Sequence, residues 1–162
     1  MTRLLEGKVA IVTGGAKGLG HGISRALAKE GASLVITGRD GAATETVAAE
    51  IERDFGTKAI GMAADSGVKA DVLAFVDKAV ESFGGLDILV NNASLLSSGV
   101  LMEHKTDEML KRTLEIGVWG NWWAMQAAFP HFKARGGGLC GVERAQGAAF
   151  GIGGGRKGLF GG

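Results

Sequence analysis

The chain has 162 residues, of which 46% are hydrophobic and 22% charged, and its formal net charge is +1. This length suits one domain with its own core, and the near-zero charge argues against nucleic acid or an anionic membrane surface as a partner. The single cysteine, Cys140, excludes an internal disulfide and a cysteine-rich metal site, and no apolar run approaches the roughly 18 residues of a membrane span, so we predict an untargeted cytoplasmic protein without a metal.

Short apolar runs alternate with amphipathic segments along the first 90 residues. The β-branched run at 8–13 is typical of a strand buried on both faces of a parallel sheet. A helical period then extends from Leu19 to a closing Gly31. Further strands are predicted at 33–37, 58–63 and 87–90, and further helices at 43–55 and 68–83. This strict alternation predicts an α/β fold with a Rossmann-like, doubly wound parallel sheet.

The pattern weakens in the second half of the chain. One helix is predicted to open at Thr106, with Asp107 and Glu108 in its first turn, and another runs through a tryptophan-rich segment to Phe132. From residue 136 onward, 12 of the 29 glycines fall within 27 residues, and the run 139–143 lacks the apolar pattern of a central strand. We therefore predict one domain at 1–135, a sheet truncated after its fourth or fifth strand, and a poorly ordered glycine-rich tail at 136–162.

A glycine-rich turn with the sequence TGGAKGLG occupies residues 13–20, between the first strand and the first helix. Because Gly14, Gly18 and Gly20 lack side chains, the chain can turn tightly and a pyrophosphate can approach the backbone. The free amides and partial positive charge at the helix start would face that anion. The turn predicts that the domain at 1–135 binds a dinucleotide.

The end of the second strand favours one form of nicotinamide cofactor. Where the common dinucleotide fingerprint has an acidic residue that holds the ribose hydroxyls, this chain has Gly38 and Arg39. A guanidinium can bind a 2′-phosphate through two parallel hydrogen bonds, and Lys17 adds a second cation. We therefore predict NADP(H) rather than NAD(H). The alternative is that both cations are solvated surface residues and that Asp40 neutralises Arg39.

Three motifs, taken in order and spacing, resemble the short-chain dehydrogenase/reductase family. They are the Thr-Gly-x-x-x-Gly-x-Gly turn, Asp65 after the third strand, and the sequence NNAS at 91–94, where serine replaces the family's usual glycine. The resemblance covers about residues 5–138. The resemblance implies that the pyrophosphate of the cofactor binds at Gly14, Gly18, Leu19 and Gly20. It also implies that Asp65 accepts a hydrogen bond from the adenine amino group, and that the adenosine ribose passes the chain around Asn91 and Ala93.

The resemblance also implies hydride transfer between a nicotinamide ring and a carbonyl or alcohol carbon. Members of the family use a tyrosine as the acid–base group, a lysine four residues later, an upstream serine, and an asparagine in the long helix. This sequence contains no tyrosine, and Phe150 is the nearest aromatic substitute. The asparagine position falls on Gly117, and the serine position falls on Glu143 or Arg144. We therefore assign no catalytic residue.

Three hypotheses follow. The chain is an NADP(H)-dependent oxidoreductase for a small carbonyl or alcohol substrate, impaired as written, or it is a catalytically silent dinucleotide-binding fragment from a truncated or frameshifted gene. The third makes Trp119, Trp122 and Trp123, on the segment 119–132, part of a self-association surface, because the similar helix forms dimers in the family. Three tryptophans so close on one helix must point in different directions, so we expect at least one to be exposed or covered by a partner.

Overall fold

A computed structural model describes residues 3–95 and 100–142, together with the backbone of 148–152. The described strands form one sheet in the order β3-β2-β1-β4-β5-β6. Strands β1 to β5 are parallel, and β6 pairs antiparallel with β5. The strands are β1 (Val9–Thr13), β2 (Ser33–Gly38), β3 (Ala59–Ala63), β4 (Ile88–Asn91), β5 (Gly138–Val142) and β6 (Ala148–Ile152).

The helices are α1 (Gly18–Lys29), α2 (Gly41–Phe55), α3 (Lys69–Phe83), α4 (Asp107–Leu114) and α5 (Asn121–Ala134), with a 3₁₀ turn at Met102–His104. As predicted, Thr106 caps α4, and its hydroxyl accepts a hydrogen bond from the Met109 amide at 3.3 Å. A π-helical turn, Glu115–Gly120, joins α4 directly to α5. Within the described residues, no helix combines the length and the apolar character needed to cross a membrane.

The core lies on both faces of the sheet. Val9 and Ile11 of β1 pack in one cluster with residues of α3 and α5, such as Phe75. The alternate residues Ala10 and Val12 pack in a second cluster with residues of α1 and α2. Successive side chains of a strand point to opposite faces, so a strand covered on both faces is apolar throughout. The structure thus confirms the doubly wound parallel sheet.

The fifth strand lies inside the segment that we expected to be a loose tail. β5 pairs in parallel with β4, and Cys140 on β5 is buried. A Cβ on Gly138 would lie 2.3 Å from the Phe132 ring, so this glycine permits close packing of α5 on β5. The sheet therefore includes a fifth strand after residue 135, and β6 adds an antiparallel strand that the sequence did not indicate.

Part of the predicted tail, at residues 153–162, lies outside the described residues. The same holds for positions 143 and 144, to which the family's serine was expected to correspond, and for the side chain of Phe150. Gly117, at the asparagine position, lies in the π-helical turn, where its carbonyl accepts a hydrogen bond from Asn121 Nδ2 at 2.9 Å. Among the residues whose side chains are described, no cluster of His, Cys, Asp or Glu could hold a metal ion.

Candidate functional site

A cleft of about 750 Å³ opens at the carboxyl ends of β1 and β4. The chain passes from β1 to β2 and β3 on one side, whereas β4 lies on the other side of β1. Open parallel sheets bind ligands at such a switch point, because the loops that leave the two strands diverge there. Of the predicted site residues, the cleft is lined by Gly14, Lys17, Leu19, Gly20, Arg39, Asp65 and Ala93.

The glycine turn forms the floor of this cleft, and its geometry requires glycine at several positions. Gly14 and Gly18 have φ values of +63° and +52°, in the left-handed region that other residues rarely adopt. A Cβ on Gly20 would lie 2.2 Å from the Gly14 carbonyl oxygen. Gly15, to which the motif assigned no role, is equally constrained, since a Cβ there would lie 2.8 Å from Ser24 Oγ.

The start of α1 offers unpaired amides to the cleft. Lys17, at the position before the helix, makes no side-chain capping hydrogen bond, and the first helical bond is from the His21 amide to the Lys17 carbonyl at 3.2 Å. The amides of Gly18, Leu19 and Gly20 therefore precede the helical ladder. An anion placed there would accept their hydrogen bonds and lie at the positive end of the helix dipole. This arrangement fits a pyrophosphate.

Asn92 connects the end of β4 to the glycine turn. Its Nδ2 donates hydrogen bonds to the carbonyl oxygens of Thr13 at 2.9 Å and Gly14 at 3.2 Å. In return, Thr13 Oγ1 accepts from the amides of Asn92 and Ala93, both at 3.0 Å. The sequence motif included Asn92 without a role, and these four hydrogen bonds assign it one: it holds the turn against the end of β4.

Asn91, which was predicted near the adenosine ribose, does not line the cleft. It is the last residue of β4, its side chain is buried, and its Nδ2 lies 3.8 Å from Cys140 Sγ on β5. Burial raises the pKa of the Cys140 thiol. Adjacent residues of an extended chain point in opposite directions, which is why Asn92 faces the turn while Asn91 faces the neighbouring strand.

The rim of the cleft carries the two predicted cations. Lys17 Nζ lies 3.5 Å from Asp40 Oδ2, and Asp40 also caps α2 by accepting from the Ala43 amide at 3.1 Å. The Ala43 amide, together with Lys17, lowers the pKa of the Asp40 carboxyl. Arg39 is exposed and forms no ion pair with any of the side chains that the structure describes. Asp40 therefore pairs with Lys17 and leaves the Arg39 guanidinium accessible.

Asp65 lies at the far side of the cleft, in the loop after β3. Its Oδ1 accepts a hydrogen bond from the Gly67 amide at 2.8 Å, and its Oδ2 forms an ion pair with Arg112 of α4. Arg112 also pairs with Glu115, at 3.1 Å between Nη1 and Oε2. The hydrogen bonds to Glu115 and Asp65 raise the pKa of the Arg112 guanidinium. No sequence motif marked Arg112, because its carboxylate partner is 47 residues away.

This chain is similar in sequence and fold to known proteins of one family. A family model described as short chain dehydrogenase matches residues 8–140. The chain is 37% identical over 136 residues to 12α-hydroxysteroid dehydrogenase from Clostridium sp., an alignment that covers 80% of this chain and 52% of that enzyme.

Two solved structures are also similar. L-sorbose reductase from Gluconobacter frateurii, complexed with NADPH and L-sorbose, is 33% identical with a TM-score of 0.81, over 88% of this chain and 54% of that one. The 3-ketoacyl-(acyl-carrier-protein) reductase from Brucella melitensis, complexed with NADH, is 41% identical with a TM-score of 0.73, over 82% and 53%. The chain thus spans about half the length of the curated relatives and solved structures that it matches.

Proposed function

Because the chain belongs to the short-chain dehydrogenase family, we propose that it binds NADP(H) in the cleft between β1 and β4 for hydride exchange with a small carbonyl or alcohol substrate. The observation that carries this proposal is the uncapped start of α1 beneath the glycine turn. These amides can bind a pyrophosphate only where no side chain covers the backbone. Position 20 meets this condition, because the Gly14 carbonyl oxygen leaves no room for a Cβ there.

The remaining cofactor contacts are part of this proposal. We propose that Asp65 accepts a hydrogen bond from the adenine amino group and that the adenosine ribose passes the chain at Ala93, and the position of both residues in the lining of the cleft supports this. Asn91 supports that stretch from behind through β5. Bound there, the cofactor would supply hydride chemistry at its nicotinamide ring. The residues of this chain bind and orient it.

Arg39 and Lys17 support NADP(H) over NAD(H). Arg39 lies at the rim without an ionic partner among the described side chains, so a 2′-phosphate would meet an unshared guanidinium. A hydrogen bond to a charged group contributes roughly 1.5–3 kcal/mol, which corresponds to a preference of about tenfold or more. Similar solved structures were determined with NADP or NADPH and, in some cases, with NADH, so the NADP(H) prediction from this chain's own cations agrees with several of them.

A second candidate function is cofactor binding without turnover. The sequence has no tyrosine, and Gly117 stands at the family's asparagine position, so no residue is assigned to the proton transfer that accompanies hydride transfer. Both candidates use the same cofactor cleft. They differ in whether these 162 residues, which span about half of their relatives, can complete the reaction.

One experiment separates the two candidates. The full chain is titrated with NADPH and with NADH, following cofactor fluorescence, and is then given a panel of ketones and aldehydes while NADPH oxidation is followed by absorbance. Saturable binding with a preference for NADPH supports the cofactor proposal, and turnover then decides for the oxidoreductase. Binding without turnover decides for the silent form. A chain that is folded by circular dichroism yet binds neither cofactor would overturn both.

We propose further that a second copy of the chain covers the tryptophan-bearing surface of α5 and the preceding π-helical turn. Trp119 and Trp122 are 53% and 55% exposed, and Trp119 stacks on Trp123 with 6.2 Å between ring centroids. A groove lined by Leu110, Leu114 and these stacked rings runs beside them. Sedimentation at increasing concentration should reveal a dimer, and a strict monomer would remove this proposal.

A cytoplasmic location stays a prediction.

A further inference from the structure

The ion pair between Arg112 and Asp65 joins helix α4 to the loop after β3. Asp65 belongs to the loop after β3 and lines the cleft. Arg112 is on α4, the helix that continues through the π-helical turn into α5. The side chains of Arg112 and Asp65 are 30% and 24% exposed, so the pair is shielded from water more than an ordinary surface ion pair.

The loop that carries Asp65 is packed tightly against these helices. A Cβ on Gly67 would lie 2.5 Å from Arg112 Nη1, and a Cβ on Gly120 would lie 2.0 Å from the Ser66 carbonyl oxygen. Glycine at both positions lets the loop backbone contact the helical surface directly. The ion pair and these two contacts therefore fix the loop at Asp65 and at the two residues that follow it.

The Asp65 carboxylate is held by both oxygens and still faces the cleft. Oδ1 accepts from the Gly67 amide and Oδ2 from Arg112, which together set the plane of the group. A carboxylate offers about four lone-pair directions, so each oxygen can accept one more hydrogen bond. Without Arg112, only the Gly67 amide would hold the carboxylate, and the group could turn about this one hydrogen bond.

We propose that Arg112 is a positioning residue for adenine recognition: it orients the Asp65 carboxylate so that an oxygen faces the 6-amino group of the cofactor's adenine. This inference rests on the proposed cofactor function. It makes affinity at the adenine end of the cleft depend on a residue of α4, which does not itself line the cleft. In the opposite arrangement, Arg112 would compete with adenine for the carboxylate. Replacing Arg112 would then raise the affinity for a cofactor that carries the 6-amino group.

The test compares two cofactors that differ only at the adenine. NADPH presents the 6-amino group, whereas reduced nicotinamide hypoxanthine dinucleotide phosphate presents a carbonyl oxygen that cannot donate to Asp65. The dissociation constants of both are measured on the full wild-type chain and on Arg112→Gln. We expect the wild type to prefer NADPH by about tenfold, the size of one charge-assisted hydrogen bond, and Arg112→Gln to lower this preference to about twofold.

Three further single variants and one double variant separate positioning from general effects. Lys111→Gln removes the same charge from a neighbouring exposed position of α4 and should keep the wild-type preference. Arg112→Lys should restore part of the preference, since an ammonium can pair with only part of the carboxylate. In Asp65→Ala the preference should be lost, and adding Arg112→Gln should change nothing more. Thermal unfolding of each variant identifies losses that come from the fold alone.

The possible outcomes distinguish this inference from the proposed function. A folded wild type that does not bind NADPH overturns the proposed function. A wild type that binds both cofactors equally, or an Arg112→Gln variant whose preference is unchanged or increased, overturns the inference and leaves cofactor binding intact. A fall in preference that is specific to Arg112→Gln and absent in Lys111→Gln supports it.

Discussion

Replacing Asp87 with asparagine tests how the sheet is held at the amino ends of its strands. The Asp87 side chain is only 4% exposed and accepts hydrogen bonds from Lys8 Nζ at 3.2 Å, the Val9 amide at 3.0 Å and Arg135 Nη2 at 2.8 Å. Arg135, just after α5, also donates to the Gly7 carbonyl at 2.9 Å. One carboxylate thus joins β1, β4 and the end of α5.

The magnitude follows from what asparagine keeps. Its carbonyl oxygen can still accept from the Val9 amide, but the negative charge that pairs with Arg135 and Lys8 is lost. Hydrogen bonds to charged groups contribute roughly 1.5–3 kcal/mol each, and the exposure of these two cations, 34% and 48%, lets water replace part of the loss. We expect Asp87→Asn to lower the free energy of unfolding by about 2 kcal/mol. Asp87→Ala, which leaves the Val9 amide unpaired, should cost about 3–5 kcal/mol.

The effect should depend on pH with a definite sign. Burial acts to raise the pKa of Asp87, but the hydrogen bonds from Arg135, the Val9 amide and Lys8 outweigh it and lower the pKa below the ordinary value of 3.8. A depressed carboxyl pKa contributes stability that is present above the unfolded-state pKa and is lost as the pH falls through the folded-state pKa. The difference between the wild type and Asp87→Asn should therefore shrink in acid below about pH 4.

Urea unfolding followed by circular dichroism, at about pH 7 and about pH 3, measures both effects. The matched control is Asp77→Asn, the same chemical change at an exposed position of α3 that forms no ion pair within the described part of the chain. We expect this control to change stability by less than about 0.5 kcal/mol. Equal losses in the two variants, or a difference that persists undiminished in acid, would refute the reasoning.

Three other substitutions test the cleft. Gly20→Ala places a methyl group 2.2 Å from the Gly14 carbonyl oxygen and should weaken NADPH binding at least about tenfold. The control is Gly22→Ala, because a methyl group at this position of the same helix meets open space. This control should leave NADPH binding unchanged and stabilise the fold by about 0.5–1 kcal/mol. Arg39→Ala should weaken NADPH about tenfold and NADH less than about twofold in paired titrations; equal losses would contradict 2′-phosphate recognition. Asn92→Ala should lower the free energy of unfolding by about 2 kcal/mol and weaken NADPH, since the turn loses two hydrogen bonds; unchanged urea midpoints would exclude that role.

The fold of the first half could be predicted because its signals are local. The strand predicted at 8–13 lies at Val9–Thr13, and the helix predicted at 68–83 lies at Lys69–Phe83. A strand buried on both faces must be apolar throughout, and a helix covering such a sheet must be amphipathic, so each element can be recognised without knowing its neighbours. The glycine turn is local for the same reason, since it has to lie directly between β1 and α1.

The features that the sequence did not predict depend on distant partners. β5 is short and glycine-rich, and its place in the sheet is secured by β4 and by the close contact of Gly138 with Phe132. The glycines that suggested a loose tail include one that is needed for packing. The pair between Arg112 and Asp65 spans 47 residues, and neither residue signals the other. The last residue of β4 determines which way the side chains at 91 and 92 point. The sequence did not predict this end of the strand to within one residue.

Stability and binding are concentrated at opposite ends of the same strands, and this separation can be tested. The Asp87 network lies before β4 and beside the start of β1, whereas Asn92 and the glycine turn lie after the carboxyl ends of these two strands. A β-strand of four or five residues places roughly 15 Å between its ends, so a change at one end need not reach the other. Asp87→Asn should therefore lower the urea midpoint while the NADPH affinity of the folded protein stays the same. Gly20→Ala should lower affinity more than stability. If both variants lost affinity and stability in proportion, the cleft would depend on the whole sheet and could not be treated as a local site.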